Sequence, residues 1–251
     1  MKTRDYRLSA PRFGRRVCFA LVSDLHGEDP EGALAVLRQR KPDYILMAGD
    51  ILEPLNGEED VAHERGFRLL SEASKIAPVL YCTGNHEDGG IHSWRRSWKK
   101  KSRKRDYHED DRLRILQSGA IFLEDSFAVR GGIAFGGLQS GLIHEGGMPA
   151  LSWLDEFCGL DCPRVLLCHH PEYYEKYLRD RSLDLIVSGH AHGGQWRIFG
   201  KGVFAPGQGL FPQYTHGLHD DRFVIGAGLK KGSILVPRFF NSPEVVFIEG
   251  T

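Results

Sequence analysis

No stretch of this sequence approaches the roughly 18 consecutive apolar residues that a membrane span requires. The basic N-terminus (Lys2, Arg4, Arg7, Arg12, Arg15, Arg16) is of the kind that opens an export signal. The apolar run behind it, Val17 to Val22, is too short for a signal core and ends at polar Ser23 and Asp24. A cytoplasmic location is therefore expected, with peripheral contact to a membrane left open. Net charge is also missing. The 33 basic and 33 acidic side chains cancel, which argues against a chain that binds nucleic acid over its whole surface. Cysteines number only five: Cys18, Cys82, Cys158, Cys162 and Cys168. The count is odd, and three lie in apolar strand-like runs, so buried reduced thiols are expected. Cys158 and Cys162 have no second cysteine pair with which to complete a zinc site. Internal repeats and obvious linkers are absent too, so residues 1–251 are expected to form a single domain.

The charge that is present is unevenly placed. Eight of the twelve residues in "WRRSWKKKSRKR" (94–105) are Lys or Arg, and "DYHEDD" follows at once. This basic insertion, about 88–112, reads as a solvated helix neutralised by the acidic block, or as a basic lid that concentrates an anionic substrate. Trp94 and Trp98 share one face if the run is helical.

Elsewhere the apolar pattern is regular. "VCFALVSD" (17–24), "DYILMAGD" (43–50), "APVLYCTGNHE" (77–87), "RVLLCHH" (164–170) and "LDLIVSGHAH" (183–192) are apolar runs with polar ends. Each reads as a buried strand covered on both faces. A helix is expected over about 30–40, and Ala62, Leu69, Ala73 and Ile76 space as the apolar side of a second. The β-α-β-α-β opening predicts a largely parallel sheet. Residues 120–138 read as short strands, and 149–158 as a helix. The tail, about 196–250, reads as loops and antiparallel strands, with a Gly-rich loop at about 200–232. The class is α/β with two sheets.

The strand ends share one chemistry. They offer Asp24 and His26, Asp50, Asn85 with His86 and Glu87, His169 with His170, and His190 with His192. Sites in α/β sheets gather at the carboxyl ends of strands. A mixed nitrogen and oxygen set without thiolate suits Mn, Fe or Zn in a catalytic role. Asp24 and His26 are two apart, so an extended strand end points both to one side. Gly189, Gly193 and Gly194 permit unusual backbone beside the last histidines.

The series D-x-H, G-D, G-N-H-E, H, G-H-x-H resembles the calcineurin-like metallophosphoesterase superfamily over residues 17–192. "SGHAHGGQ" and "FFNSPEVVFI" are similar to its YkuE/YaeI-type phosphodiesterase subgroup. The resemblance implies a four-layer α-β-β-α sandwich of two mixed sheets, with a site for two divalent ions (Mn, Fe or Zn). It implies Asp24, His26 and His192 as ligands of the first ion, Asn85, His169 and His190 of the second, and Asp50 as the bridge. It further implies hydrolysis of an anionic phosphoester, expected to be a phosphodiester, by a hydroxide shared between the ions, with His86 as general acid. Glu87 is a candidate to hold the His86 ring. Gly193, Gly194, Gln195 and Arg197 are candidate substrate contacts. The alternatives are a metal-binding scaffold without turnover, or a nuclease or protein phosphatase on the same fold.

Overall fold

The computed structural model describes residues 1–53, 61–88, 109–141, 147–198, 201–205, 208–232, 238–239 and 241–251. The basic run 94–105 lies outside the described residues. The helical end of its insertion, Glu109–Gln117, is described and begins within the acidic block.

Alternation along the central strands builds the core. In β2 (Val17–Val22), Phe19 and Leu21 face one apolar cluster while Ala20 and Val22 face another. β3 (Tyr44–Ala48) repeats this, with Leu46 and Ala48 on the first side and Ile45 and Met47 on the second. Successive side chains of a strand point to opposite faces, so an apolar run that fills both sides must be covered on both.

The first sheet has the order β1-β16-β2-β3-β4-β5. Its further members are β1 (Lys2–Arg7), β4 (Val79–Cys82), β5 (Ile121–Phe122) and β16 (Glu244–Gly250). β2, β3 and β4 run parallel, while β16 is antiparallel to β2 and parallel to β1. The outer face of this sheet packs on α1 (Glu31–Arg40), α2 (Val61–Ser74) and α3 (Glu109–Gln117) through Leu34, Leu37, Phe67, Leu70 and Ile115.

The second sheet has the order β14-β15-β9-β8-β7-β6. It comprises β6 (Ser126–Arg130), β7 (Ile133–Leu138), β8 (Arg164–Cys168), β9 (Leu185–Ser188), β14 (Gly217–His219) and β15 (Phe223–Ile225). Val165, Leu167, Leu185 and Val187 meet Phe19, Leu46 and Leu80 between the sheets. Leu166 and Ile186 turn outward to Phe157 of α4 (Leu154–Cys158) and to Tyr174 and Leu178 of a π-helical turn. The result is the expected α-β-β-α order of layers.

The tail departs from the expected antiparallel pairing twice. β15 pairs parallel with β9, and β16 also runs parallel to β1. Two small hairpins, β10 (Arg197–Ile198) with β11 (Lys201–Gly202) and β12 (Phe204–Ala205) with β13 (Gly209–Leu210), fill the Gly-rich stretch. All five cysteines are free, and Cys82 and Cys168 are buried as the apolar runs imply. Among the described residues no helix is long and apolar enough to cross a membrane.

Candidate metal centre

The parallel strands β2, β3 and β4 of one sheet and β8 and β9 of the other end at the same place. Their end loops are laced together. Asp24 donates its N–H to Gly49 O at 3.0 Å, and Leu25 donates to Asp50 O at 2.8 Å. Asp24 Oδ1 in turn accepts the N–H of His190 at 3.0 Å. Sharp turns are needed to aim these side chains inward. Asp24, His26, Asp50, His190 and His192 all take positive φ, between 46° and 64°. Such backbone costs a non-glycine residue about 1–2 kcal/mol each and persists where packing imposes it, commonly at functional sites.

All seven expected ligands converge. Asp24, His26 and His192 form one group of ligand atoms lying within 4.8 Å of one another, and Asp50, His169 and His190 form a second. Asp50 Oδ2 stands 3.5 Å from His26 Nε2 and 3.3 Å from His169 Nε2. Asn85 Oδ1 lies 3.2 Å from His169 Nε2. Two donors bound to one ion at about 2.1 Å each, in tetrahedral array, sit roughly 3.4 Å apart, so these spacings match shared coordination.

The far side of each ring is fixed. His169 Nδ1 donates to Ala48 O at 2.7 Å, which orients Nε2 toward Asp50. His26 Nδ1 pairs with Glu53 Oε1 at 2.8 Å, and His26 Nε2 is buried with no hydrogen-bond partner among the described residues. An orphaned imidazole nitrogen beside two carboxylates fits a cation ligand.

Charge tells the same story. Burial alone raises the Asp24 carboxyl, but His192 and His26 outweigh it and hold it below the usual carboxylate range. Asp50 is held down likewise, chiefly by His169 and His86 against the effect of burial. Burial lowers His26 and His169, yet the carboxylates win, lifting His26 to about 9 and His169 to about 10. Burial keeps His192 down, at about 3. Buried carboxylates crowd this space and push two of its imidazoles upward, as a place that favours cationic charge should.

His86 stands at the rim. Its N–H donates to Asp50 Oδ1 at 2.9 Å, its Nδ1 bonds Glu53 Oε2 at 2.9 Å, and its Nε2 lies 3.8 Å from Asp50 Oδ2. Glu53 therefore holds both His26 and His86, and its own carboxyl falls to about 2 because those two histidines outweigh burial. The expectation that Glu87 holds the His86 ring is corrected. Glu87 turns inward and accepts five hydrogen bonds: from the N–H groups of Asp50, Ile51, Leu52 and Gly84 and from the Tyr81 hydroxyl.

The expected substrate contacts lie differently. Gly193 and Gly194 form the turn that carries His192, but a Cβ on Gly193 would strike Arg197 and Asn241, and one on Gly194 would strike Gly202. Those faces pack against protein. Arg197 donates Nε to Gly193 O at 2.9 Å. The residue the sequence did not reveal is Arg238. Its Nη2 bonds His192 Nδ1 at 3.1 Å and Ala227 O at 2.7 Å, while its buried Nη1 has no partner among the described residues. Among the remaining histidines, His63 lies in α2. It is buried between Glu53 O at 2.6 Å and Asp111 Oδ1 at 3.0 Å.

A family model for calcineurin-like phosphoesterases matches residues 19–194. The chain belongs to that family. Two relatives show how far the likeness extends. A Caenorhabditis elegans protein named as a metallophosphoesterase is 27% identical over 250 residues, covering 94% of this chain and 48% of its own length. Phosphodiesterase YaeI of Escherichia coli is 26% identical over 221 residues, covering 85% of this chain and 66% of its own. This calcineurin-like chain thus spans less than two thirds of either relative. A dimetal phosphatase from Danio rerio superposes with a TM-score of 0.49 at 15% identity, over 87% of this chain and 88% of that one.

Proposed function

We propose that this chain is a hydrolase of phosphoesters, acting on a phosphodiester at a centre of two divalent ions of the Mn, Fe or Zn class. The observation that carries the reading is the position of Asp50, with one carboxylate oxygen facing both His26 Nε2 and His169 Nε2. A carboxylate between two imidazole sets is suited to join two ions. In this reading Asp24, His26 and His192 hold the first ion, Asn85, His169 and His190 the second, and Asp50 both. Bound there, the ions supply Lewis-acid polarisation of the phosphoryl group and a water nucleophile of lowered pKa.

The chain's own groups supply the rest. His86, anchored by Glu53, presents Nε2 to the rim and passes a proton to the leaving oxygen. Arg238 offers its spare Nη1 to a phosphate oxygen, a geometry suited to a guanidinium. Arg197, tied to the Gly193 carbonyl through Nε, also carries a buried Nη2 without a partner among the described residues and stays a candidate beside Arg238. Gln195, in left-handed backbone after the turn, remains a candidate contact. A cytoplasmic location is part of the proposal and rests on the sequence.

The test is hydrolysis of bis(p-nitrophenyl) phosphate and p-nitrophenyl phosphate by metal-stripped protein, before and after adding Mn²⁺. Turnover of the diester on metal addition is expected, and Asp50→Asn should lose metal and turnover together. Bound metal without turnover of either ester identifies a scaffold instead. Full activity in Asp50→Asn removes the bridging assignment.

A further inference from the structure

A third group of ligand-type side chains stands beside the paired sets. His170, Glu172 and His190 each present one ligand atom within 4.8 Å of the other two. Only His190 is used by the two-ion reading. His170 is 7% exposed, and neither of its ring nitrogens has a hydrogen-bond partner among the described residues. Glu172 Oε2 is buried and equally unpartnered. His170 Nδ1 lies 3.3 Å from Glu172 Oε1, close enough for charge attraction but outside hydrogen-bond alignment. The His170 and His190 rings are 4.4 Å apart between centroids and inclined by 59°, so they do not stack face to face.

Three orphaned polar atoms in one buried place are unusual. Buried side-chain donors and acceptors nearly always find a partner, and leaving one without costs about 1–3 kcal/mol. Two imidazoles and one carboxylate form a recognised zinc donor set. Imidazole-rich sites prefer zinc and copper over magnesium, calcium or manganese. A buried water is the competing occupant, since it too can satisfy several groups at once.

We propose that His170, Glu172 and His190 form a third, inhibitory site for a zinc-class divalent cation. The inference rests on the reading of His190 as a ligand of the catalytic pair. An ion held by His170 and Glu172 draws on the same His190 ring, so filling the third site weakens the hold on the second ion. Zinc above the amount needed for activity then slows the enzyme. His170 and Glu172 are adjacent to the centre without belonging to it, so their substitution separates inhibition from catalysis.

The experiment titrates metal-stripped protein with Zn²⁺ alone. Bound zinc is counted by elemental analysis after gel filtration, and diester turnover is measured at each step. For the unaltered chain, activity should rise to two equivalents, then fall at least tenfold as a third binds. His170→Ala and Glu172→Gln should both stop at two equivalents and keep their rate in excess zinc. Uptake that ends at two equivalents in the unaltered chain overturns the proposal and assigns the cluster to water. So does a third equivalent that persists, with the same inhibition, in both variants. Fewer than two equivalents overturns the two-ion reading itself, and with it the sharing of His190.

Discussion

The carboxylate of Glu87 accepts the backbone N–H of Asp50 at 2.9 Å. Glu87 thus sets the position of the candidate bridge without touching its side chain. Burial and the nearby Asp50 charge push the Glu87 carboxyl upward, while its hydrogen bonds pull the other way. Glu87→Gln replaces one accepting oxygen by an NH₂ group that meets backbone N–H donors. We expect a loss of about 2–4 kcal/mol in stability, read from urea unfolding. Metal content should fall with it, because the turn carrying Asp50 loses its anchor. Unchanged unfolding would show that the five hydrogen bonds are dispensable.

Glu53 serves two histidines with different expected roles. Glu53→Gln weakens the orientation of His26 and His86 together. Metal affinity should drop about 10–100-fold, as for other groups that orient a ligand from behind. His86→Ala should keep both ions and lower kcat by about 10²–10⁴-fold. Comparing metal titrations of the two variants checks the division of roles. Loss of metal in His86→Ala would make that residue a ligand.

Arg238→Met should retain metal and raise KM for the diester about tenfold or more, since it removes the spare guanidinium donor beside His192. Steady-state kinetics with metal analysis decide it. An unchanged KM returns Arg238 to a purely structural role.

His63 gives a pH dependence at a residue outside the ligand set, though its ring bonds the Glu53 carbonyl. Burial lowers its pKa, but Asp111 and the Glu53 carbonyl outweigh that, so it ends above the ordinary histidine value. A raised folded-state pKa contributes stability that is fully present below the unfolded value of about 6.5 and is lost as pH rises through the folded one. The stability difference between the unaltered chain and His63→Gln should therefore shrink from pH 6 to pH 9 in urea unfolding. A difference that grows with pH contradicts the His63–Asp111 pair.

The sequence made the ligand set visible because each ligand closes an apolar run, and parallel strands bring their ends together. Asp24, Asp50, Asn85, His169 and His190 need only that rule. Glu53 escaped because its role depends on a loop folding back over Asp50. The local clue was slight: an acid three residues beyond a strand-end Asp. Arg238 lies 46 residues from His192 and no periodicity links them. Glu87 misled by adjacency. The turn after β4 points neighbouring side chains apart, so His86 faces the rim and Glu87 faces the backbone of the Asp50 loop. β15 looked like part of an antiparallel tail because a three-residue run carries no sign of which strand it will join.

Gly84 separates steric fit from backbone strain. A Cβ added there would collide with Asp50 Oδ1 and crowd Asp50 N and the His169 ring, all parts of the bridging region. Gly84→Ala therefore has to displace either the bridge or the second-ion ligand. Overpacking of this kind costs about 1–3 kcal/mol, and the displaced carboxylate should reduce diester turnover at least 100-fold with loss of one or both ions. Gly14 supplies the control. It has φ of 64° with nothing within 4 Å of an added Cβ, so Gly14→Ala carries strain alone, about 1 kcal/mol. That variant should bind both ions normally. Normal metal uptake by Gly84→Ala would mean that Asp50 has freedom to move, and that its placement between the two histidine sets is not what the packing around Gly84 enforces.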